Sequence, residues 1–132
     1  MISVAEFTVF LVARGVDANL IVDGWGDEAA GDAMPSRIVA VTPTGGGADL
    51  RESVFEQPTV QIRCRGEQND PASATALADS VDRAILDGSF PVLIGGRHVP
   101  RIQRMGGPPA IIGRDESLRH SAVANYILDL AH

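Results

Sequence analysis

A strand that runs straight into a helix, over residues 54–88, constrains the fold of this chain more than any other stretch. Val60, Ile62 and Cys64 alternate with Gln61, Arg63 and Arg65, the two-residue period of a strand with one buried and one wet face. After Gly66 the period changes. Ala74, Leu77, Ala78, Val81, Ala84 and Ile85 recur at three and four, forming one apolar stripe along a helix. Asp70 is placed to cap that helix, Pro71 falls at its first position, and Gly88 follows its end as a left-handed residue. No catalytic signature accompanies the unit, which points towards assembly.

The flanking segments build on it. Ser3 and Glu6 have capping-box spacing, and a helix follows to Arg14, ended by Gly15. Val4, Ala5, Phe7, Val9, Phe10, Leu11, Val12 and Ala13 cover nearly all its sides. A helix apolar all round must be buried all round, either by the termini or by another subunit. Residues 16–36, with the short apolar run Leu20-Ile21-Val22, read as a loop. It holds Asp17, Asp23, Asp27, Glu28 and Asp32 without a basic residue, and Trp25 stands between two glycines, either tucked onto the core or exposed as a partner anchor.

Ile38 to Val41 form a strand, and Pro43 to Asp49, with Gly45, Gly46 and Gly47, form a long flexible tip. The glycines precede no helix and no Lys, so a hairpin tip is favoured over a phosphate cradle. Further on, Pro91 to Ile94 turn at Gly95-Gly96 and return through Arg97 to Arg104, a strand that is bulged or has a free side at Pro100, which cannot donate to a ladder. Met105 to Ile112 read as a Gly-Pro loop. A final strand from about Arg119 to Leu130 sets Ala122, Ala124, Tyr126, Leu128 and Leu130 on one face. The expected architecture is α+β, a single domain over residues 1–132, with an antiparallel sheet of about four to five strands and two helices on one face.

Composition narrows the function. A net charge of −6 argues against general nucleic-acid binding. All eleven basic residues are Arg, which removes Schiff-base and P-loop lysine chemistry. The lone Cys64 allows neither an internal disulfide nor a Cys-based zinc site, and its place on the apolar face makes it a buried thiol. His98 and His120 lie on separate strands and His132 is terminal, so no pair has ligand spacing. Asp115 and Glu116 are adjacent on a loop and lack a third group. No cofactor or metal is implied, and neither a membrane span nor a signal peptide is read. Arg63 and Arg65 share the wet face of the central strand. Arg97, Arg101, Arg104, Arg114 and Arg119 crowd the C-terminal half, opposite in charge to residues 15–36. An acidic loop and a basic sheet surface can mate head to tail between copies, or the arginines form a solvated face paired with local carboxylates.

Over roughly residues 50–130 the chain resembles the tail terminator and minor tail or capsid proteins of long-tailed bacteriophages. The likeness lies in the strand Val60 to Gly66, the helix begun by Asp70-Pro71 and the Gly95-Gly96 hairpin. It continues in the order Gly107-Pro108-Pro109, Gly113-Arg114-Asp115-Glu116, Arg119 and Asn125-Tyr126. The resemblance implies a virion structural protein without catalysis, assembled in the host cytoplasm. Such a protein forms a hexameric ring at the head-proximal end of the tail, caps the tail tube, stops its polymerisation and joins it to the head connector. Its expected partners are copies of itself, the tail tube protein and the head-tail connector, with no membrane and no sequence-specific nucleic acid. Residues assigned to subunit or tube contacts are Arg63, Arg65, Arg101, Arg104, Phe7, Phe10, Trp25, Asp27 and Glu28, with the Gly45–Gly47 tip reaching towards another ring. A head-closure or neck protein is the alternative of the same kind; a small ligand-binding domain, an enzyme or a regulatory dimer are alternatives of other kinds.

Overall fold

The computed structural model describes residues 2–24, 37–46, 55–114 and 118–131. In chain order these form α1 (Val4–Ala13), a 3-10 turn (Ala18–Leu20), β1 (Ile21–Asp23), β2 (Ile38–Gly46), β3 (Phe55–Glu56) and β4 (Pro58–Gln68). Then come α2 (Pro71–Leu86), β5 (Val92–Ile94), β6 (Arg97–Val99), β7 (Arg101–Arg114) and β8 (Arg119–Ala131).

β8 pairs with β4 on one side and β7 on the other, and β2 and then β1 extend the sheet beyond β4. β3 and β4 keep one register on β8, from Phe55 opposite Ala131 through Thr59 opposite Ile127. They therefore act as one strand interrupted near Gln57, and the sheet is five strands wide. It is antiparallel except at one edge, where β1 runs parallel to β2 with Ile21 beside Val39. β5 and β6 form a separate hairpin, turning on Gly95 and Gly96 at φ +59° and +77°, the positive values that a two-residue turn demands.

Both helices cover the same sheet face. Val39, Val41, Val60, Ile62, Cys64, Ala122, Ala124, Tyr126, Leu128 and Leu130 point into the core, where they meet Phe7, Phe10 and Leu11 of α1 and Leu77, Ala78, Val81 and Ile85 of α2. The alternation expected on β4 and β8 is what places these residues together. Both predicted helix starts are present. The Ser3 hydroxyl accepts from the Glu6 amide at 3.1 Å while the Glu6 carboxylate accepts from the Ser3 amide at 2.9 Å. Asp70 accepts from the Ser73 amide, with Pro71 beginning the helix. At Gly66, a Cβ would overlap the backbone of Ser73 and Ala74, so the glycine lets α2 lie directly against β4.

Several expectations need correction. Gly88 is not left-handed; the last turn of α2 closes through the Asp87 amide on the Arg83 carbonyl, and Gly88 serves a packing role. Ile21 to Asp23 leave the expected loop to become β1, because the apolar pair Ile21-Val22 can add to the β2 edge. β2 continues through Gly46 with a register shift after Pro43, so the first part of the expected tip is strand. Pro100 divides the returning strand into β6 and β7, since proline supplies no donor to either ladder.

The Gly-Pro stretch belongs to β7. Met105 stands opposite Asn125 and Ala110 opposite Val123, so residues 106–109 bulge from the ladder opposite Ala124. Gly106 takes φ +79° and Pro108 and Pro109 lack an N–H, so the ladder detours around them and resumes. Finally, α1 is not buried all round: Phe7, Phe10 and Leu11 face the core, whereas Val9 is 70% and Val12 42% exposed.

Candidate assembly surfaces

The face of the sheet away from the helices carries Gln61, Arg63 and Arg65 of β4, Ser121, Val123, Asn125, Ile127 and Asp129 of β8, and Arg101, Gln103 and Met105 of β7. Their registers align, with Arg63 opposite Val123, Arg65 opposite Ser121 and Arg101 opposite Asp129. This face is not evenly wet. Ile38, Ala40, Arg65, Ser121 and Asp129 are buried, while Arg63 is half-buried. At its lower end Asp129 accepts from Arg101 Nε and from the Gln57 amide nitrogen, both at 2.9 Å. Gln57 sits where β3 breaks from β4, so this carboxylate ties three strands together.

Arg104 lies on the opposite face, beneath α2. It pairs with Asp82 at 2.6 Å, and the Tyr126 hydroxyl donates to the other Asp82 oxygen at 2.6 Å. Burial, followed by the hydrogen bond to Asp82 and the charge of that carboxylate, pushes the Tyr126 phenol far above its ordinary value. The four arginines expected on one basic surface are therefore divided: Arg63, Arg65 and Arg101 on one face, Arg104 on the other. Period-two counting along β7 separates Arg101 from Arg104, but Arg104's partner on α2 has no sequence signal.

Arg14 has no motif in the sequence to mark its role. It ends α1, donates to the Ala84 carbonyl at 3.1 Å and the Ser89 carbonyl at 2.9 Å, and lies over the rings of Phe10 and Phe90 at 5.0 and 5.2 Å. The Ala84 carbonyl is one of the four that a helix end leaves without an internal donor. Phe10, one turn earlier on the same helix, was the one available hint.

Phe7 and Phe10 sit in the chain's own core, and the outward side of α1 is formed by Val9 and Val12. A second apolar exposure lies on β7, where Met105, Ile111 and Ile112 are exposed, Met105 opposite Asn125 on the outer row and Ile111 opposite Ala122 on the core row, with Leu118 exposed just before β8. Gly45 and Gly46 end β2. Trp25, Asp27, Glu28, Gly47, Asp115, Glu116 and His132 lie outside the described residues.

For chemistry the residues offer little. Cys64 is buried, and desolvation raises its thiol from the ordinary 9.0 to about 12, where it is not a nucleophile. His98 is exposed on β6 and His120 half-buried on β8. Among the described residues no group of three or more His, Cys, Asp or Glu side chains could hold a metal, and no helix is long and apolar enough to cross a membrane. A cavity of about 180 Å³ between the end of α1 and α2 is lined by Asp17, Leu20, Arg37, Leu77, Ser80 and Val81. It is small for a ligand pocket.

The surface is thus one of divided charge and separate apolar strips on a closed core. Comparison with curated proteins finds no match. Residues 29–131, most of the chain and all of the sheet beyond β1, match the profile of a family described as "Bacteriophage tail terminator protein"; the chain belongs to that family of tail proteins.

Proposed function

We propose that the protein is a non-enzymatic virion component that forms a ring, a hexamer by the resemblance above, at the head-proximal end of a phage tail. The ring caps the tail tube, ends its polymerisation and joins it to the head connector after assembly in the host cytoplasm. The family match carries this reading. Exposed apolar residues on two different elements support it, Val9 and Val12 on α1 and Met105, Ile111 and Ile112 on β7. A subunit with two unlike contact surfaces suits a heterologous, ring-closing arrangement better than a two-fold dimer.

In this reading Arg63 and Arg101 face a neighbouring subunit or the tube, Arg65 and Arg104 hold the sheet that presents them, and Phe7 and Phe10 fix α1 so that Val9 and Val12 point outward. The Gly45–Gly47 tip reaches towards another ring, and Trp25, Asp27 and Glu28 contribute to subunit contact. One domain, residues 1–132, carries all of these surfaces.

Light scattering over a concentration series, with negative-stain images and with tail tubes added in parallel, tests the proposal. A closed multimer, free or at tube ends, together with arrest of tube growth is expected. A chain that neither associates nor binds tubes overturns it.

A further inference from the structure

We propose that the β7 edge of one copy meets the β1 edge of a second, so that subunits join head to tail through opposite edges of their sheets. This rests on the ring reading and names the surfaces it would use. β1 and β7 stand at the two ends of the sheet, and among the described residues β7 pairs with β8 alone and β1 with β2 alone. An end strand keeps one row of backbone donors and acceptors available to another strand. On β7 Ile111 and Ile112, at a register shift, are 42% and 53% exposed, so this part of the strand is accessible.

Charge distinguishes the two edges. β7 carries Arg101, Arg104 and Arg114 and no acidic residue. Asp129 and Asp82 engage the first two, whereas Arg114 is exposed at the strand's end. β1 has the exposed Asp23 at its end and the exposed Asp17 just before it, with Arg37 one strand further in. A β7–β7 contact would set two arginine-bearing strands side by side. A β7–β1 contact sets Arg114 against carboxylates instead.

Length agrees as well. The bulge at 106–109 divides β7 into two stretches, 101–105 and 110–114, the second carrying a further register shift between Ile111 and Gly113, and each is longer than the three residues of β1. Arg114 selects the second. Contacts between unlike edges repeat in one direction, and such a series closes into a ring or continues as a filament.

The test uses the full chain with Asp23→Cys and Arg114→Cys, singly and together, keeping the buried Cys64. Intermolecular disulfides are read on non-reducing gels, with and without tail tubes. The double variant is expected to give a ladder of multimers, the two single variants mixed together a dimer, and neither single variant alone a crosslink. In parallel, Arg114→Asp or Asp23→Arg alone is expected to weaken association about tenfold or more, and the two together to restore most of it. Multimers without the 23–114 crosslink, or Arg114→Cys linking to itself, would overturn the edge pairing and leave the ring intact. A chain that stays monomeric and does not bind tubes would overturn both.

Discussion

The guanidinium of Arg14 occupies the space that a side chain on Gly88 would need. Because Gly88 is not left-handed, room and not backbone freedom requires the glycine. Arg14 joins the end of α1 to the end of α2 through two carbonyls and two rings. Gly88→Ala is therefore expected to displace the guanidinium and cost about 1–2 kcal/mol through the hydrogen bonds it gives up. In an Arg14→Ala background the same change becomes neutral or stabilises by about 0.4–1 kcal/mol, since only the unfolded-chain effect of removing a glycine remains. Urea denaturation of the four chains measures this reversal of sign.

Asp82 serves two donors at once, and the two should differ in weight. Tyr126→Phe removes one hydrogen bond and is expected to cost about 1–2 kcal/mol. Asp82→Ala leaves a buried phenol and a largely covered guanidinium without their acceptor, for an expected loss of about 3 kcal/mol or more. Equal losses in denaturant titrations would show that Arg104 contributes nothing through this carboxylate.

Alkaline pH should unfold the protein through two buried groups. The Cys64 and Tyr126 pKa values are both raised by burial, so each group contributes stability that is fully present below its unfolded pKa. That stability is lost as pH climbs past the unfolded value towards the folded one, beginning for Cys64 near 9.0 and for Tyr126 near 10.0. Melting temperature is expected to fall above about pH 9, and less steeply in Cys64→Ala compared with its own value at neutral pH. At pH 8 the folded chain should resist thiol alkylation, and addition of urea should expose one reactive thiol.

Gly66→Ala tests the contact between β4 and the first turn of α2. The added methyl meets backbone atoms of Ser73 and Ala74 that cannot rotate away, and a loss of about 2–3 kcal/mol is expected. Hydrogen exchange should show the loss first in the amides of α2.

Ser3→Ala breaks the capping box and is expected to cost about 1 kcal/mol. Glu6 has a pKa below the ordinary 4.5, held there first by the hydrogen bond from the Ser3 amide and next by the Ser3 hydroxyl. Its contribution is complete above 4.5 and lost as pH falls through the lower folded value. NMR titration should show the Glu6 pKa moving up towards 4.5 in Ser3→Ala.

Where periodicity was unbroken, local rules located the structure. The alternation of Val60, Ile62 and Cys64, the stripe from Ala74 to Ile85 and the caps at Ser3 and Asp70 are all present. Reading failed where one element's meaning depended on a distant one. Gly106 to Pro109 look like a loop because glycine and proline disfavour strands, yet β8 supplies a template on which β7 resumes beyond them. Gly88 looks like a helix terminator because the guanidinium filling its space is attached 74 residues earlier. For the candidate surfaces, the charge division and the period-two separation of Arg104 from Arg101 were legible, but the pairing of Arg104 with Asp82 on α2 and the exposure of Val9 emerged only with tertiary packing. A helix apolar on every side gives no indication of which side its own core will take.

The central position of β8 has a consequence for synthesis. It follows every other described strand in the sequence, yet it stands between β4 and β7 and supplies the register for both. During translation β1, β2 and β4 can pair in turn, but β7 leaves the ribosome before the strand that joins it to them, so the sheet is completed only by its last strand. A chain interrupted before Arg119 keeps the β1–β2–β4 ladder but leaves β7 without a neighbour and β4 with an open edge, and such a fragment is expected to be a substrate for proteases instead of a defective member of a growing particle.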